Sequence, residues 1–187
     1  NLGILSSALP TFDGTTADTN NMLSNTNSNI IYNGNNYIQG GLNTTDVITI
    51  ITTVRFTSLA SVSGIFGSSV PNTPGLRISA GGILTAVRTD AGILSPSGTN
   101  TYVVGTTYKI ALTRNEAGDW RVYTNFGGSF TTEISVNNAA PLNHSEFYLG
   151  TQSSASSKAV GTFGRTLLYQ NKALSATEVE NIFDTVL

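Results

Sequence analysis

The segment from Val47 to Phe56 constrains the fold most, because its side chains sort into two faces with a period of two. One face would carry Ile48, Ile50, Thr52, Val54 and Phe56, and the other would carry Thr49, Ile51, Thr53 and Arg55. This alternation, with many β-branched residues, predicts a half-buried β-strand.

Similar runs recur along the chain and are separated by turn signals. The runs are Leu76–Ala80, Ile83–Arg88, Tyr108–Arg114, Trp120–Thr124, Glu146–Leu149 and Thr162–Tyr169. The turn signals are Pro71–Gly75, Gly81-Gly82, Asp90–Gly92, Pro96–Gly98, Ala117–Asp119 and Gly127-Gly128. Short strands with frequent turns predict a sandwich or barrel, and Gly81-Gly82 predicts a tight hairpin.

One helix is predicted near the end of the chain. Ser175 and Glu178 have the spacing of a capping box, in which each side chain accepts from the other residue's backbone N–H. An apolar stripe follows at Val179, Ile182, Phe183 and Val186. A helix of about ten residues is too short to be stable alone, so we expect it to pack on the sheets.

We expect a single domain over residues 1–187, because the sequence contains no internal repeat and no second domain. The segment Thr15–Asn36 is rich in Asn, Thr and Ser, which fits either a flexible linker or an ordered surface loop. Its apolar residues, such as Met22 and Ile30, favour the loop. The start at Asn1 leads us to expect a processed product or a piece of a longer protein.

Composition excludes several classes of function. Charged residues make up only 11% of the chain, against about 25% in typical domains, so the polar surface must be built from Asn, Thr, Ser and Gly. Such surfaces are common on extracellular and virion proteins. A net charge of −2 argues against nucleic-acid binding, and no apolar run is long enough to span a membrane. With 0 Cys, the chain has neither disulfides nor thiolate chemistry.

Several motifs together resemble the laminin-G-like, concanavalin A-like lectin-glucanase superfamily, as found in phage fibres and bacterial surface proteins. The matching segments are Phe12–Gly14 with Asp18, Tyr32–Ile38, Val47–Phe56, Thr106–Thr113, Trp120–Asn125, Gly161–Phe163, Leu168-Tyr169 and Ala173–Val179. The chain departs from the pattern at Tyr108, where Trp is usual, and at Phe126, which interrupts a turn. The resemblance implies an all-β, two-sheet antiparallel jelly-roll sandwich with one short C-terminal helix, and a role in recognising glycans or proteins.

The sequence contains no catalytic constellation that we recognise. Jelly-roll glucanases carry two carboxylates two residues apart on a strand, whereas here the only such pair, Glu178 and Glu180, lies on the predicted helix. The chain has no G-x-S-x-G motif and no Cys. We therefore predict that it is not an enzyme and has no catalytic residues.

Metal binding has two candidate groups. His144 and Glu146 could share a strand face and ligate a metal, but a polar strand edge is the interpretation we favour. Because many relatives bind calcium, Asp13, Asp18 and Asp90 are candidate ligands, but the interpretation we favour for Asp13 is that its carboxylate caps the turn at Gly14. We predict no metal site and no cofactor, and leave calcium open.

Outward-pointing basic residues form the candidate ligand-binding set. If the apolar positions of the strands point inward, the outward set is Arg55, Arg77, Arg88, Lys109 and Arg121, with Tyr123 beside Arg121. They could form a basic and aromatic platform for an acidic or neutral glycan. The alternative, which we favour, is solvated sheet faces that discourage edge pairing. The Trp120 side chain could pack in the core or stack on a sugar, and its register with Val122 favours the core.

Three functions follow from these expectations. The first is a phage or viral fibre, spike or capsid-decoration domain that binds a host-surface glycan, a receptor or another virion protein. It would lie outside the cell or on the virion and would form oligomers, with a homotrimer as the candidate. The second is a carbohydrate-binding module of a secreted bacterial protein or glycoside hydrolase. The third, a glycoside hydrolase itself, is disfavoured by the missing carboxylate pair.

Overall fold

The computed structural model describes residues 11–13, 30–33, 37–40, 47–67, 74–88, 96–141, 147–151 and 157–187. These residues form thirteen strands, one short 3-10 turn at Phe126–Gly128 and one α-helix, α1, Ala176–Thr185. The first six strands are β1 Thr11–Asp13, β2 Ile30–Asn33, β3 Tyr37–Gly40, β4 Ile48–Ser58, β5 Ser63–Gly67 and β6 Pro74–Ile78. The others are β7 Ile83–Arg88, β8 Ser97–Thr101, β9 Thr107–Arg114, β10 Asp119–Thr124, β11 Thr131–Asn137, β12 Phe147–Leu149 and β13 Val160–Gln170.

The strands form two antiparallel sheets. Sheet 1 has the order β1-β3-β12-β5-β6-β7-β8, and sheet 2 has the order β11-β10-β9-β4-β13-β2. The hairpin series β5 to β8 and β9 to β11 keep chain order, whereas β4 lies between β9 and β13, which are far from it in the chain. The predicted fold class, a two-sheet antiparallel sandwich with one short C-terminal helix, is confirmed.

The core lies between the two sheets. From β4, Ile48, Ile50, Val54 and Phe56 point into it and are at most 1% exposed. Opposite them pack Ile65, Phe66, Leu76, Ile78 and Leu84 of sheet 1. Burying each such side chain stabilises the fold by about 1.5–3 kcal/mol. The alternation predicted for Val47–Phe56 is therefore confirmed, but the strand is more than half buried, because Thr49 and Ile51 on the other face are 0% exposed.

Three strands with described side chains were not predicted: β5, β8 and β11. The predicted turn at Pro96–Gly98 is wrong, because β8 begins at Ser97 and pairs with β7. Pro96 precedes the strand, where a missing N–H is tolerated, and its carbonyl accepts from the Ala86 N–H at 3.1 Å. The strand β8 contains almost no apolar residues, so its sequence has no hydrophobic pattern to detect.

Two predicted turns are confirmed by their backbone. Between β6 and β7, the Gly82 N–H donates to the Ser79 carbonyl at 2.9 Å, and Gly82 has a φ of 78°. Between β9 and β10, Gly118 donates to the Asn115 carbonyl at 3.0 Å, with a φ of 79°. Glycine adopts this left-handed region without steric cost. The turn predicted at Asp90–Gly92 and most of Thr15–Asn36 lie outside the described residues.

Helix α1 packs on the outer face of sheet 2, and its capping box is confirmed. The Glu178 N–H donates to Ser175 Oγ at 3.3 Å, and the Ser175 N–H donates to Glu178 Oε2 at 2.8 Å. Val179 and Phe183 are buried against the sheet. The placement of Val186 in the buried stripe is wrong: it follows the helix and is 37% exposed.

Removing the cap should destabilise the fold modestly. We expect Ser175→Ala to lower the free energy of unfolding by about 1 kcal/mol, because one helix N–H loses its acceptor. Thr177→Ala, at an exposed position in the same turn, is the control and should change it by less than about 0.5 kcal/mol. Urea unfolding followed by circular dichroism measures both, and equal effects would contradict the cap.

The cap also predicts a pH dependence. Hydrogen bonds from the Ser175 backbone, and then from Lys172, hold the pKa of Glu178 below its usual 4.5. A carboxyl group whose pKa is lower in the folded than in the unfolded protein stabilises the fold at pH values above its unfolded-state pKa. This contribution disappears as the pH falls through the folded-state pKa. The difference in Tm between the wild type and Glu178→Gln should therefore be present at pH 7 and shrink below about pH 4.

Candidate functional site

The outer face of sheet 2 carries the candidate site, and α1 divides it. At one end, the Leu174 N–H donates to Thr49 Oγ1 at 2.9 Å, and Thr49 Oγ1 donates to the Lys172 carbonyl at 2.9 Å. At the other end, Lys109 Nζ donates to the Phe183 carbonyl near the helix C-terminus. The helix thus runs along the strands and leaves a recess beside its first turn and another beyond its last turn.

The first recess, which we call the helix cleft, has a volume of about 320 Å³. It lies between the first turn of α1 and the β9–β10 hairpin. Its lining residues are Thr113, Asn115, Asp119, Arg121, Tyr123, Ala173, Leu174, Ser175 and Glu178.

The charged groups of the helix cleft are engaged with one another and with the backbone. Asp119 accepts from Asn115 Nδ2 at 3.0 Å and from Asn137 Nδ2 at 3.1 Å, and lies 3.7 Å from Arg121. The hydrogen bond from Asn115 is the main cause that lowers the pKa of Asp119. Arg121 also donates to the Trp120 carbonyl at 3.0 Å. These contacts hold the hairpin, and Glu178 holds the helix cap.

The second recess, which we call the arginine groove, has a volume of about 260 Å³. Its lining residues are Thr53, Val54, Arg55, Thr107, Thr162 and Gly164. The strand register aligns three of them, because Arg55 on β4 lies directly opposite Thr107 on β9 and opposite Thr162 on β13. Paired residues on one face have Cβ atoms about 5 Å apart. The groove therefore presents a guanidinium between two hydroxyls.

The guanidinium of Arg55 is anchored at one atom only. Its Nε donates to the Gly105 carbonyl at 2.8 Å, and the Gly105 N–H donates to the Phe56 carbonyl at 2.8 Å. Arg55 is exposed, and within the described part of the chain its terminal nitrogens have no partner. The hydroxyls of Thr53, Thr107 and Thr162 likewise have none among those residues. These groups are available to a ligand, unlike those of the helix cleft.

The structure separates the six residues proposed as a platform. Arg55 and Lys109 lie near the arginine groove, although Lys109 is bound to the helix end, and Arg121 lies in the helix cleft. On the opposite sheet, Arg77 lies on β6 and Arg88 ends β7, and the Arg88 side chain lies outside the described part.

Tyr123 occupies a covered position. It is 6% exposed and stacks on Phe130, with ring centroids 5.4 Å apart and planes at 15°. Phe130 in turn contacts Phe183 of α1. The ring of Tyr123 is therefore part of the helix packing and has no free face for a sugar.

Two residues of the groove, Thr107 and Thr162, were missed by the sequence analysis. Each lies at an outward position of its strand, where a threonine is indistinguishable from any solvated residue. Their relation to Arg55 depends on the pairing of β4 with β9 and with β13. That pairing joins segments about 50 and 107 residues away in the sequence, for which no local signal exists.

The other candidates are only partly covered by the structure. Trp120 is 0% exposed, so its assignment to the core is confirmed. Over the described residues, no group of three or more His, Cys, Asp or Glu side chains could hold a metal ion. The side chain of Asp13 and all of Asp18, Asp90, His144 and Glu146 lie outside them. No described helix is long and apolar enough to cross a membrane.

Solved structures with the same fold include domains in complex with sugars. No protein-family model matches the chain, and no curated protein sequence matches it. Domain 4 of the arabinanase AbnA from Geobacillus stearothermophilus, solved with arabinotriose, is similar with a TM-score of 0.65 and 17% identity. That match covers 82% of this chain and 75% of the other.

Two further structures support the same fold. The CBM40 domain of the Ruminococcus gnavus IT-sialidase, bound to α2,3-sialyllactose, has a TM-score of 0.60 and 14% identity, covering 74% of this chain and 83% of that one. The receptor-binding domain of botulinum neurotoxin type G has a TM-score of 0.61 and 15% identity. That match covers 83% of this chain and 41% of the other. With its two antiparallel sheets and its likeness to these structures, the chain therefore has the fold of a jelly-roll sandwich.

Proposed function

We propose that this chain is a non-catalytic glycan-recognition domain and that it binds saccharide in the arginine groove. The observation that carries the proposal is the row of Thr107, Arg55 and Thr162, whose two hydroxyls and terminal guanidinium nitrogens have no partners among the described residues. Hydroxyl and guanidinium donors are the groups that bind sugar hydroxyls. The solved structures that share this fold include carbohydrate-binding and receptor-binding domains, which supports the proposal.

A binding role accords with the chemistry of three described carboxylates. Asp119 and Glu178 hold a hairpin and a helix cap, and Glu116 lies in the exposed β9–β10 turn. Asp119 and Glu178 both line the helix cleft, but each accepts hydrogen bonds that lower its pKa, whereas hydrolysis of a glycosidic bond requires one carboxyl group that stays protonated as the acid.

For the parent protein we propose two settings. One is a phage or viral fibre, spike or capsid decoration, displayed on the virion and binding a host-surface glycan. The other is a carbohydrate-binding module of a secreted bacterial protein or glycoside hydrolase. Light scattering separates them, because the first setting predicts an oligomer, with a trimer as the candidate, and the second predicts a monomer.

Replacing Arg55 should weaken glycan binding. On an immobilised glycan panel, we expect Arg55→Ala to lower the affinity for the bound saccharide by at least about tenfold, since charge-assisted hydrogen bonds are lost. Arg121→Ala, in the helix cleft, is the matched control and should stay within about twofold, because it removes a cation outside the groove. Equal losses in both variants, or no saccharide bound by the wild type, would contradict the proposed site.

A further inference from the structure

We infer that the arginine groove binds the carboxylate group of an acidic sugar. This rests on the proposed function and names the ligand class for the same site. Charge favours an anionic ligand in the groove. The groove is lined by Arg55 and by no carboxylate among the described residues, whereas the helix cleft is lined by Arg121 together with Asp119 and Glu178. The groove lining is therefore net positive and the cleft lining net negative, so an anionic ligand favours the groove.

Two more cations lie on the same side of the molecule. Lys109 is paired with Thr53, the groove residue two positions before Arg55 on β4. Arg165 follows Gly164 of the groove and donates to the Val186 carbonyl at 3.1 Å. Both are bound to carbonyls at the end of α1, so they retain their charge without a described carboxylate to neutralise it. Their field adds to that of Arg55.

The guanidinium of Arg55 has the geometry to bind a carboxylate. Because Nε is held by the Gly105 carbonyl, the two terminal nitrogens remain as a parallel pair of donors. A planar carboxylate accepts two parallel N–H···O bonds from such a fork, which a single hydroxyl cannot do. The anchor at Gly105 also restricts the side chain before binding, and this reduces the entropy lost when a ligand is bound.

A pair of threonines flanks the guanidinium. Thr107 and Thr162 lie on either side of Arg55, so their hydroxyls can bond the ring hydroxyls next to a sugar carboxylate. The volume of about 260 Å³ lies just below the roughly 300–1,000 Å³ of typical ligand sites. The groove therefore suits one terminal sugar residue.

The test compares acids with their methyl esters, which lose the carboxylate charge on an otherwise unchanged skeleton. The probes are trigalacturonate and α2,3-sialyllactose, each beside its methyl ester, with a 6-sulfated galactoside as a third arm, titrated by calorimetry. We expect at least one acid to bind about tenfold or more tightly than its ester. Arg55→Ala and Arg55→Lys should abolish this preference, because neither offers the fork.

A second readout does not depend on affinity. In the folded wild type, the Nε–Hε resonance of Arg55 should shift with the acid and not with the ester. The inference is overturned if acid and ester bind equally, if the sulfated sugar alone binds, or if Arg55→Lys keeps the preference. If the acid and its ester bind equally and Arg55→Ala abolishes the binding of both, the inference fails but the proposed function still holds. Binding of no saccharide would overturn both.

Discussion

Replacing Trp120 with alanine is expected to lower the free energy of unfolding by about 4 kcal/mol. The indole is fully buried in the core between the sheets, where it packs with Val122 and Ile134. It also lies under the guanidinium of the buried Arg114, whose central carbon is 5.8 Å from the ring. Truncation removes apolar contacts and leaves a cavity that the two sheets cannot close.

Urea unfolding followed by circular dichroism measures this loss. Trp120→Phe is the matched control and should cost less than half as much, because it keeps an aromatic ring and the indole Nε1 has no described partner to lose. Trp120 is the only tryptophan in the chain, so wild-type emission should be blue-shifted and unchanged by sugar. A stable Trp120→Ala variant with weakened glycan binding would instead place the residue in a sugar site.

Adding one methyl group at Gly161 should have a similarly large effect. Gly161 lies on β13 beside a register shift, in close contact with the backbone of β4. A Cβ there would overlap the carbonyl oxygen of Arg55 and lie 2.9 Å from the Cα of Phe56. Neither group can move without separating β13 from β4, so we expect Gly161→Ala to cost about 3 kcal/mol.

The control for this substitution is Gly81→Ala. A Cβ at Gly81 would meet only Ser79 Oγ, at an ordinary 3.7 Å, so the change should stay within about 0.5 kcal/mol. Thermal unfolding of the two variants compares them directly. A Gly161→Ala variant as stable as Gly81→Ala would show that β13 and β4 do not approach as closely as described. That result would also undermine the geometry of the arginine groove, since Thr162 is the next residue.

The framework of the fold could be predicted because it rests on local patterns. The alternation in Val47–Phe56 identifies β4, and the spacing of Ser175 and Glu178 identifies the start of α1. In both cases, residues within a few positions of each other determine the structure. The strand β8 was missed because Ser97–Thr101 is short and nearly without apolar side chains, and its pairing with β7 alone defines it.

The site was predictable only in part, because register and helix docking assemble it. An outward cation at Arg55 could be predicted from alternation, but the flanking hydroxyls of Thr107 and Thr162 could not. Tyr123 has the same outward register as Arg121, yet α1 and Phe130 cover it. The position of a helix on a sheet depends on how the apolar surfaces of both elements match. The sequence pattern of one strand gives no information about that match.

NMR mapping of the isotopically labelled chain, titrated with the best saccharide from the panel, tests the central claim most directly. We expect the largest amide shifts on Thr53, Arg55, Thr107 and Thr162 at the arginine groove, and recovery of the saccharide intact. Shifts confined to sheet 1 would contradict the site. Cleavage of the saccharide during the titration would contradict the non-catalytic role.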